Sequence, residues 1–230
     1  MTTAENAPAN KATSPLYRAL SWLVALLVPI ALTLTFVRLM LSPFYINIEY
    51  RLPGFPVDPY GFTSAQRLYY GNIARLYLLN SAGISYLGDL QFENGQPFYN
   101  ERELQHMVDV KKVVKAALNV WIAALVFLLG LGIWAWFGHW WPDYTHGLSR
   151  GGWLTVILLG VILVLVVISF NLVFVVFHEV FFAAGSWTFN FSDTLIRLFP
   201  ERFWRDIFIW VGGLTLFSGL ALGILLRRKS

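Results

Sequence analysis

Apolar positions along this chain are clumped rather than periodic. Four runs, 20–41, 116–137, 153–177 and 208–226, are almost free of charge. A soluble helix or half-buried strand would instead alternate apolar and polar residues with a period of 3.6 or 2. Each run approaches the about 20 residues that cross a bilayer at 1.5 Å per residue. The pattern predicts an all-α polytopic membrane protein with four transmembrane helices, forming one membrane domain over 19–230. Residues 1–18, rich in Ala, Asn, Thr and Pro, are expected to be a disordered cytoplasmic tail. The first run exceeds a signal-peptide core of about 7–15 residues and no small-x-small cleavage site follows it, so it is expected to be retained as a span.

Between runs one and two the pattern changes. Residues 43–112 predict a small extracytoplasmic cap made of an amphipathic helix and a short hairpin. Ser42-Pro43 stops span one, and Tyr45-Ile-Asn-Ile-Glu-Tyr50 alternates like a short strand. Pro and Gly punctuate 52–61 as a loop. Thr63 and Gln66 have capping-box spacing, which predicts a helix over 63–80. Asn94-Gly95 between short apolar arms predicts the hairpin over 89–99. Asn100 and Glu103 repeat the capping-box spacing and start a helix that continues into span two. The Gly- and aromatic-rich stretch 138–152 is a short connection, which makes spans two and three antiparallel neighbours; its His139 and His146 are expected to be interfacial.

Composition narrows the class further. The chain is 57% hydrophobic and only 13% charged, against about 25% charged in soluble domains. Ten Trp and ten Tyr, many near run ends, suit an interfacial aromatic belt. The net charge of +4 is carried by residues that flank spans, so nucleic acid is not an expected partner. The absence of cysteine removes disulfides, thiolate metal sites and cysteine nucleophiles. Lys11 and Arg18 before span one, Arg150 between spans two and three, and Arg227, Arg228 and Lys229 at the end place both termini in the cytoplasm. Four spans without an inverted repeat offer no transport pathway.

The densest chemistry lies at 177–206, between spans three and four. Antiparallel packing brings the end of span three to the start of span two, so His178 and His106 should share one membrane face. Asp109, three residues after His106 on a helix, can orient its imidazole. Asn171 lies two turns before His178 on the same face, and Asn119 is a second polar group at depth. Metal ligation by His106, His178 and Asp109 or Glu179 is disfavoured. His178 and Glu179 diverge by about 100° on a helix, and no H-E-x-x-H spacing occurs. Ser186 lacks a nucleophile elbow. What remains is general acid/base catalysis by two histidines, with no metal and no cofactor. Arg38 either snorkels to the headgroups or contacts an anion. Asp193 and Arg197, spaced i,i+4 on a short helix capped by Ser192, form either a surface ion pair or a headgroup contact.

Three blocks then carry a resemblance: Gly54-Phe-Pro with Asp58-Pro-Tyr-Gly-Phe62; Arg102-Glu-Leu-Gln-His-Met-Val-Asp-Val-Lys111; and Phe177-His-Glu-Val-Phe-Phe182 with Trp187, Asp193-Thr-Leu-Ile-Arg197 and Pro200-Glu201. Together they resemble a bacterial four-span integral membrane family that includes the lipoprotein intramolecular transacylase, Lit. The resemblance implies a bacterial cytoplasmic-membrane enzyme whose partners are membrane lipids and a diacylated lipoprotein. It would move the sn-2 acyl chain of diacylglyceryl-cysteine to that cysteine's α-amino group, with the site on the extracytoplasmic face. Catalytic roles would fall to His106, His178 and Asp109, and substrate contacts to Arg38, Asn171, Trp187, Asp193 and Arg197. Two other readings stay open: another lipid-directed hydrolase or acyltransferase, and a non-catalytic membrane protein of an envelope or transport complex. The oligomeric state is unspecified.

Overall fold

A computed structural model describes residues 14–227. Lys11, Arg228 and Lys229 lie outside these residues, as does most of the tail expected over 1–18. The helix α1 (Pro15–Met40) already includes 15–18, because Pro15 sits at its first position, where a missing N–H costs nothing. The helix runs on through Pro29.

The described residues are all-helical, and among them four helices are long and apolar enough to cross a membrane: α1, α5 (Glu101–Phe137), α6 (Trp141–Ile168) and α9 (Glu201–Leu225). Shorter helices fill the rest: α2 (Pro43–Glu49), α3 (Ser64–Leu79), α4 (Ser85–Gly88), α7 (Phe170–Phe181) and α8 (Thr194–Leu198). Both expected capping boxes form, Thr63 with Gln66 and Asn100 with Glu103. Gln91 pairs with Pro97 across the Asn94-Gly95 turn, where Gly95 takes a positive φ of 80°.

Tyr45–Tyr50 is not a strand. Pro43 starts α2 there, and the residues it buries, Tyr45, Ile46 and Glu49, followed by Tyr50, have helical rather than alternating spacing. The Tyr45 hydroxyl donates to the Phe203 carbonyl at 3.1 Å and the Tyr50 hydroxyl to the Leu198 carbonyl at 2.6 Å. These bonds fasten α2 to the segment leading into α9.

The connection between spans two and three is also shorter than the composition suggests. Only 138–140 separate α5 from α6, and residues 141–152 are helical. Their glycines serve packing, not turning. A Cβ on Gly151 would lie 2.6 Å from Val28 Cβ, and one on Gly152 would collide with the backbone of Gly219 and Gly223. Bare backbone there lets α6 approach α1 on one side and α9 on the other, the small-residue contact that membrane helices favour. The Ser149 hydroxyl adds a buried bond of 3.0 Å to the Gly223 carbonyl.

Span three differs in a second way. It stops at Ile168; Ser169, with φ −154° and ψ 87°, breaks the helix, and its hydroxyl accepts from Leu172 N to restart it as α7. A cap core forms at one end of the bundle around Ala74, Tyr77, Leu87, Phe98, Tyr99 and Met107. Leu195 and Leu198 of α8 enter the same cluster, so the cap includes residues after span three as well as those before span two.

Candidate active site

His106 lies two turns into α5, and its position is fixed by the turn before it. Glu103 is buried; one of its carboxylate oxygens accepts from the Asn100 backbone at 2.8 Å and the other from Leu195 N at 2.6 Å. The Thr194 hydroxyl donates to the Phe98 carbonyl at 2.6 Å. The start of α5 is therefore bolted to α8. Arg102 extends the link, donating to the Thr188 carbonyl at 3.2 Å. The segment that returns from α7 is thus held over the face of α5 that carries His106.

His178 comes to that face from α7. The two imidazoles lie nearly parallel, with centroids 6.2 Å apart and planes 19° apart. Aromatic rings enclose them. Phe182 and Phe189 lie 4.9 and 5.2 Å from the His106 ring, while Phe174 and Trp187 lie 4.1 and 4.8 Å from that of His178. His106 is buried and His178 half-buried.

The nitrogens differ. His178 Nδ1 is 2.7 Å from the Phe174 carbonyl. A carbonyl can only accept, so Nδ1 carries the proton and Nε2 of the neutral ring bears the lone pair. His106 Nδ1 is buried without a partner. An orphaned buried acceptor is tolerated better than an orphaned N–H, which assigns the His106 proton to Nε2. One ring then offers an acceptor and the other a donor. The Trp187 Nε1–H is a second donor, also buried with no partner. Buried polar groups normally find partners, so the unpaired Trp187 N–H marks a place suited to an incoming polar molecule.

Of the other residues expected here, several stand elsewhere. Asp109 makes no hydrogen bond to His106, although its charge acts on that ring. Its oxygens accept from Lys112 Nζ at 2.9 Å and Gln105 Nε2 at 3.4 Å. Asn171 is on α7 but exposed. Asp193 and Arg197 do not pair with each other. Asp193 precedes α8 without a side-chain cap, and its carboxylate accepts from Asn190 N at 2.8 Å. Arg197 grips Asp58 at 3.0 Å, donates to the Tyr60 carbonyl and stacks 3.8 Å above Phe62. Asp58 turns its carboxylate to the guanidinium fork, whereas that of Asp193 is committed to the loop before α8. Ser192 is not the cap of α8. Arg38 ends α1 near Arg75. Phe174, Phe182 and Phe189, which wall the site, carry no polar mark that could have singled them out.

Residues 19–204 match the family described as Lipoprotein intramolecular transacylase Lit. An uncharacterized protein of Aquifex aeolicus (strain VF5) is 28% identical over 190 residues, which cover 80% of this chain and 82% of that one. Among solved structures, the fold is similar to that of the membrane integral lipoprotein intramolecular transacylase Lit from Bacillus cereus. The TM-score is 0.71 at 20% identity, over 90% of this chain and 94% of that one. Two variants of the same Bacillus cereus protein, each with one histidine replaced, match at a TM-score of 0.61 and 19% and 20% identity, each over 91% of this chain and over 91% and 93% of theirs.

Proposed function

The chain belongs to the lipoprotein intramolecular transacylase family, and on that premise we propose that it moves the sn-2 acyl chain of a diacylglyceryl-cysteine lipoprotein to the cysteine α-amino group. The observation that carries this reading is the facing of His106 and His178 at 6.2 Å between centroids, at the cap end of the bundle. An amphiphile anchored in that leaflet would present its ester at headgroup depth.

The step needs no co-reactant. The α-amine attacks the sn-2 ester carbonyl, and the new C–N bond forms as His178 Nε2 takes the amine proton. The Nε2–H of His106 donates to the oxygen on which negative charge gathers, and the Trp187 indole N–H adds a second bond. Collapse breaks the ester C–O bond, and His178 returns its proton to the departing glyceryl oxygen. The products are an amide and a free 2-hydroxyl, and both rings regain their starting states. Donor and acceptor belong to one molecule, so orientation supplies a large share of the rate. Proton transfer supplies about 10² to 10⁴-fold more. Neither Asp109 nor Arg197 has a part in this sequence of bonds.

Orientation follows from the flanking charges. In the sequence, Lys11, Arg18, Arg150, Arg227, Arg228 and Lys229 flank the spans on the side of the termini, against Arg197, Arg202 and Arg205 in the short loop on the cap side, and on that positive-inside bias we infer that the termini are cytoplasmic and the histidines outside. The test is expression in a bacterium that makes only diacylated lipoproteins, with mass spectrometry of their N-terminal peptides. The wild type should yield N-acyl lyso-form peptides, whereas H106A and H178A should each yield none while accumulating in membranes. Full conversion by both variants, or no conversion by the wild type, would overturn the proposal.

A further inference from the structure

Two arginines meet where α1 ends. Arg38 occupies the last turn of α1. Three residues on, the Leu41 carbonyl accepts from Arg75 Nη1 at 3.2 Å, and Arg75 Nε donates to Asn72 Oδ1 at 3.1 Å. Those bonds bring the guanidinium of α3 to the corner where α1 ends. They also use only two of its five N–H groups. Partial burial, and then the charge of Arg38, draw the Arg75 pKa below the ordinary arginine value.

No acid offsets this corner. Among the described residues, the ion pairs are Lys112–Asp109, Arg197–Asp58, and Arg202 and Arg205 with Asp206. Neither Arg38 nor Arg75 has a carboxylate partner among them. α5 runs beside α1 here. Its Trp121 donates to Thr35 of α1 at 2.9 Å, so the two helices are in register there. From that bond, Arg38 and Lys115 both lie outward, toward the cap. Lys115 is nine residues from His106, a turn of about 180°. Lys115 therefore lies on the face of α5 opposite His106.

The surroundings point to an amphiphile. Leu39, next to Arg38, is 41% exposed, and Val120 and Ile122 of α5 are 50% and 53% exposed. A ligand whose anion rests on the arginines meets bare apolar surface immediately below. We propose that Arg38 and Arg75 bind the phosphate of an anionic phospholipid in the leaflet on the cap side. The guanidinium fork suits a phosphodiester. The acyl-transfer substrate, linked through a thioether, carries no phosphate on its glyceryl unit, so this lipid is a resident neighbour rather than a reactant.

The test is electron spin resonance of the full chain in phosphatidylcholine vesicles, doped with spin-labelled phosphatidylglycerol or phosphatidylcholine. The wild type should immobilise the anionic label several-fold more than the zwitterionic one. Each arginine near an anionic lipid contributes roughly five-fold. R38Q should lower the selectivity by about that factor, and R38Q/R75Q should bring it near one. Arg38 makes no side-chain hydrogen bond among the described residues, so the single variant reports on the site even if loss of the Arg75–Leu41 bond harms folding. R150Q removes the same charge at the opposite end, beside Trp22, and should leave the selectivity intact. Equal immobilisation of both labels by the wild type, or full selectivity retained by R38Q, would overturn the proposal. So would displacement of the anionic label by millimolar inorganic phosphate, which would make the ligand a soluble phosphate compound.

Discussion

His178 donates its Nδ1–H to the carbonyl of Phe174, one turn back, at 2.7 Å, and that bond decides which of its nitrogens can act as a base. A carboxylate commonly holds a catalytic imidazole in the right tautomer; here the backbone of α7 does so. His106 has no such partner at Nδ1, and its role as donor through Nε2 follows. The two histidines should then fail differently when replaced. Glutamine can still donate a hydrogen bond but cannot take up a proton near neutral pH. H106Q should keep a measurable fraction of the conversion rate, while H178Q should lose at least about 10²-fold. Initial rates of lyso-form production by purified variants would distinguish the roles, and equal losses would make them interchangeable.

Asp109 is expected to matter little. Its carboxylate is held by Lys112 and Gln105, and exposed pairs of this kind contribute about 0–1 kcal/mol. D109N should stay within about two-fold of the wild-type rate and should not alter membrane accumulation. A loss as deep as that of H106A would mean that Asp109 turns to the imidazole when substrate binds.

The histidine pair is legible in the amino-acid sequence because it needs only helix order. Antiparallel spans must bring the start of one to the end of the next, and one histidine sits at each place. Spacing along the chain is a poorer guide wherever a distant partner offers better geometry. Arg197 passes over Asp193, four residues away, for Asp58, 139 positions off. Tyr45–Tyr50 alternates like a strand, yet Tyr45, Ile46, Glu49 and Tyr50 share one helical face and Ile48 stays exposed, so the alternation of Ile46 and Ile48 is coincidental. The glycines of 147–152 suggest a turn, yet Gly147 and Gly151, like Gly219 and Gly223, stand four apart. That spacing, mirrored on two apolar helices, is the available signal for close packing.

Loss of the Asp58–Arg197 pair should destabilise the cap in a pH-dependent way. Burial pushes the Asp58 carboxyl up, but hydrogen bonds from Arg197 and from the backbone of Phe62 and Tyr60, with the Arg197 charge, outweigh it and hold its pKa below the ordinary value. A depressed carboxyl stabilises the fold fully above its unfolded pKa, about 3.9. That contribution is lost as pH falls through the lower folded value. The Asp58 side chain is wholly buried and that of Arg197 nearly so, and removing one partner of such a pair costs about 3–5 kcal/mol. D58N should therefore unfold well below the wild type at neutral pH, and the gap should narrow toward about pH 3, below the unfolded carboxyl value. A gap that stays constant across that range would assign the loss to packing instead of charge.

The centre of the bundle can be tested by adding one carbon. A Cβ on Gly152 would meet backbone atoms of Gly219 and Gly223 on α9, and backbone cannot rotate away as a side chain can. G152A must therefore push α6 and α9 apart, which also strains the Ser149 bond to the Gly223 carbonyl. Two turns along the same helix, a Cβ on Gly160 would meet nothing closer than Leu216 Cδ1 at 4.0 Å. G160A makes the same chemical change and improves helix propensity by about 0.8–1 kcal/mol on a soluble scale. Overpacking typically costs about 1–3 kcal/mol, occasionally more, so G152A should lower the melting temperature in detergent while G160A holds or raises it. Because His178 hangs from α6 through the short α7, separation of α6 from α9 should also lower the conversion rate of whatever G152A protein survives. If G152A melts with the wild type, the close approach of these two helices does not limit the stability of the bundle.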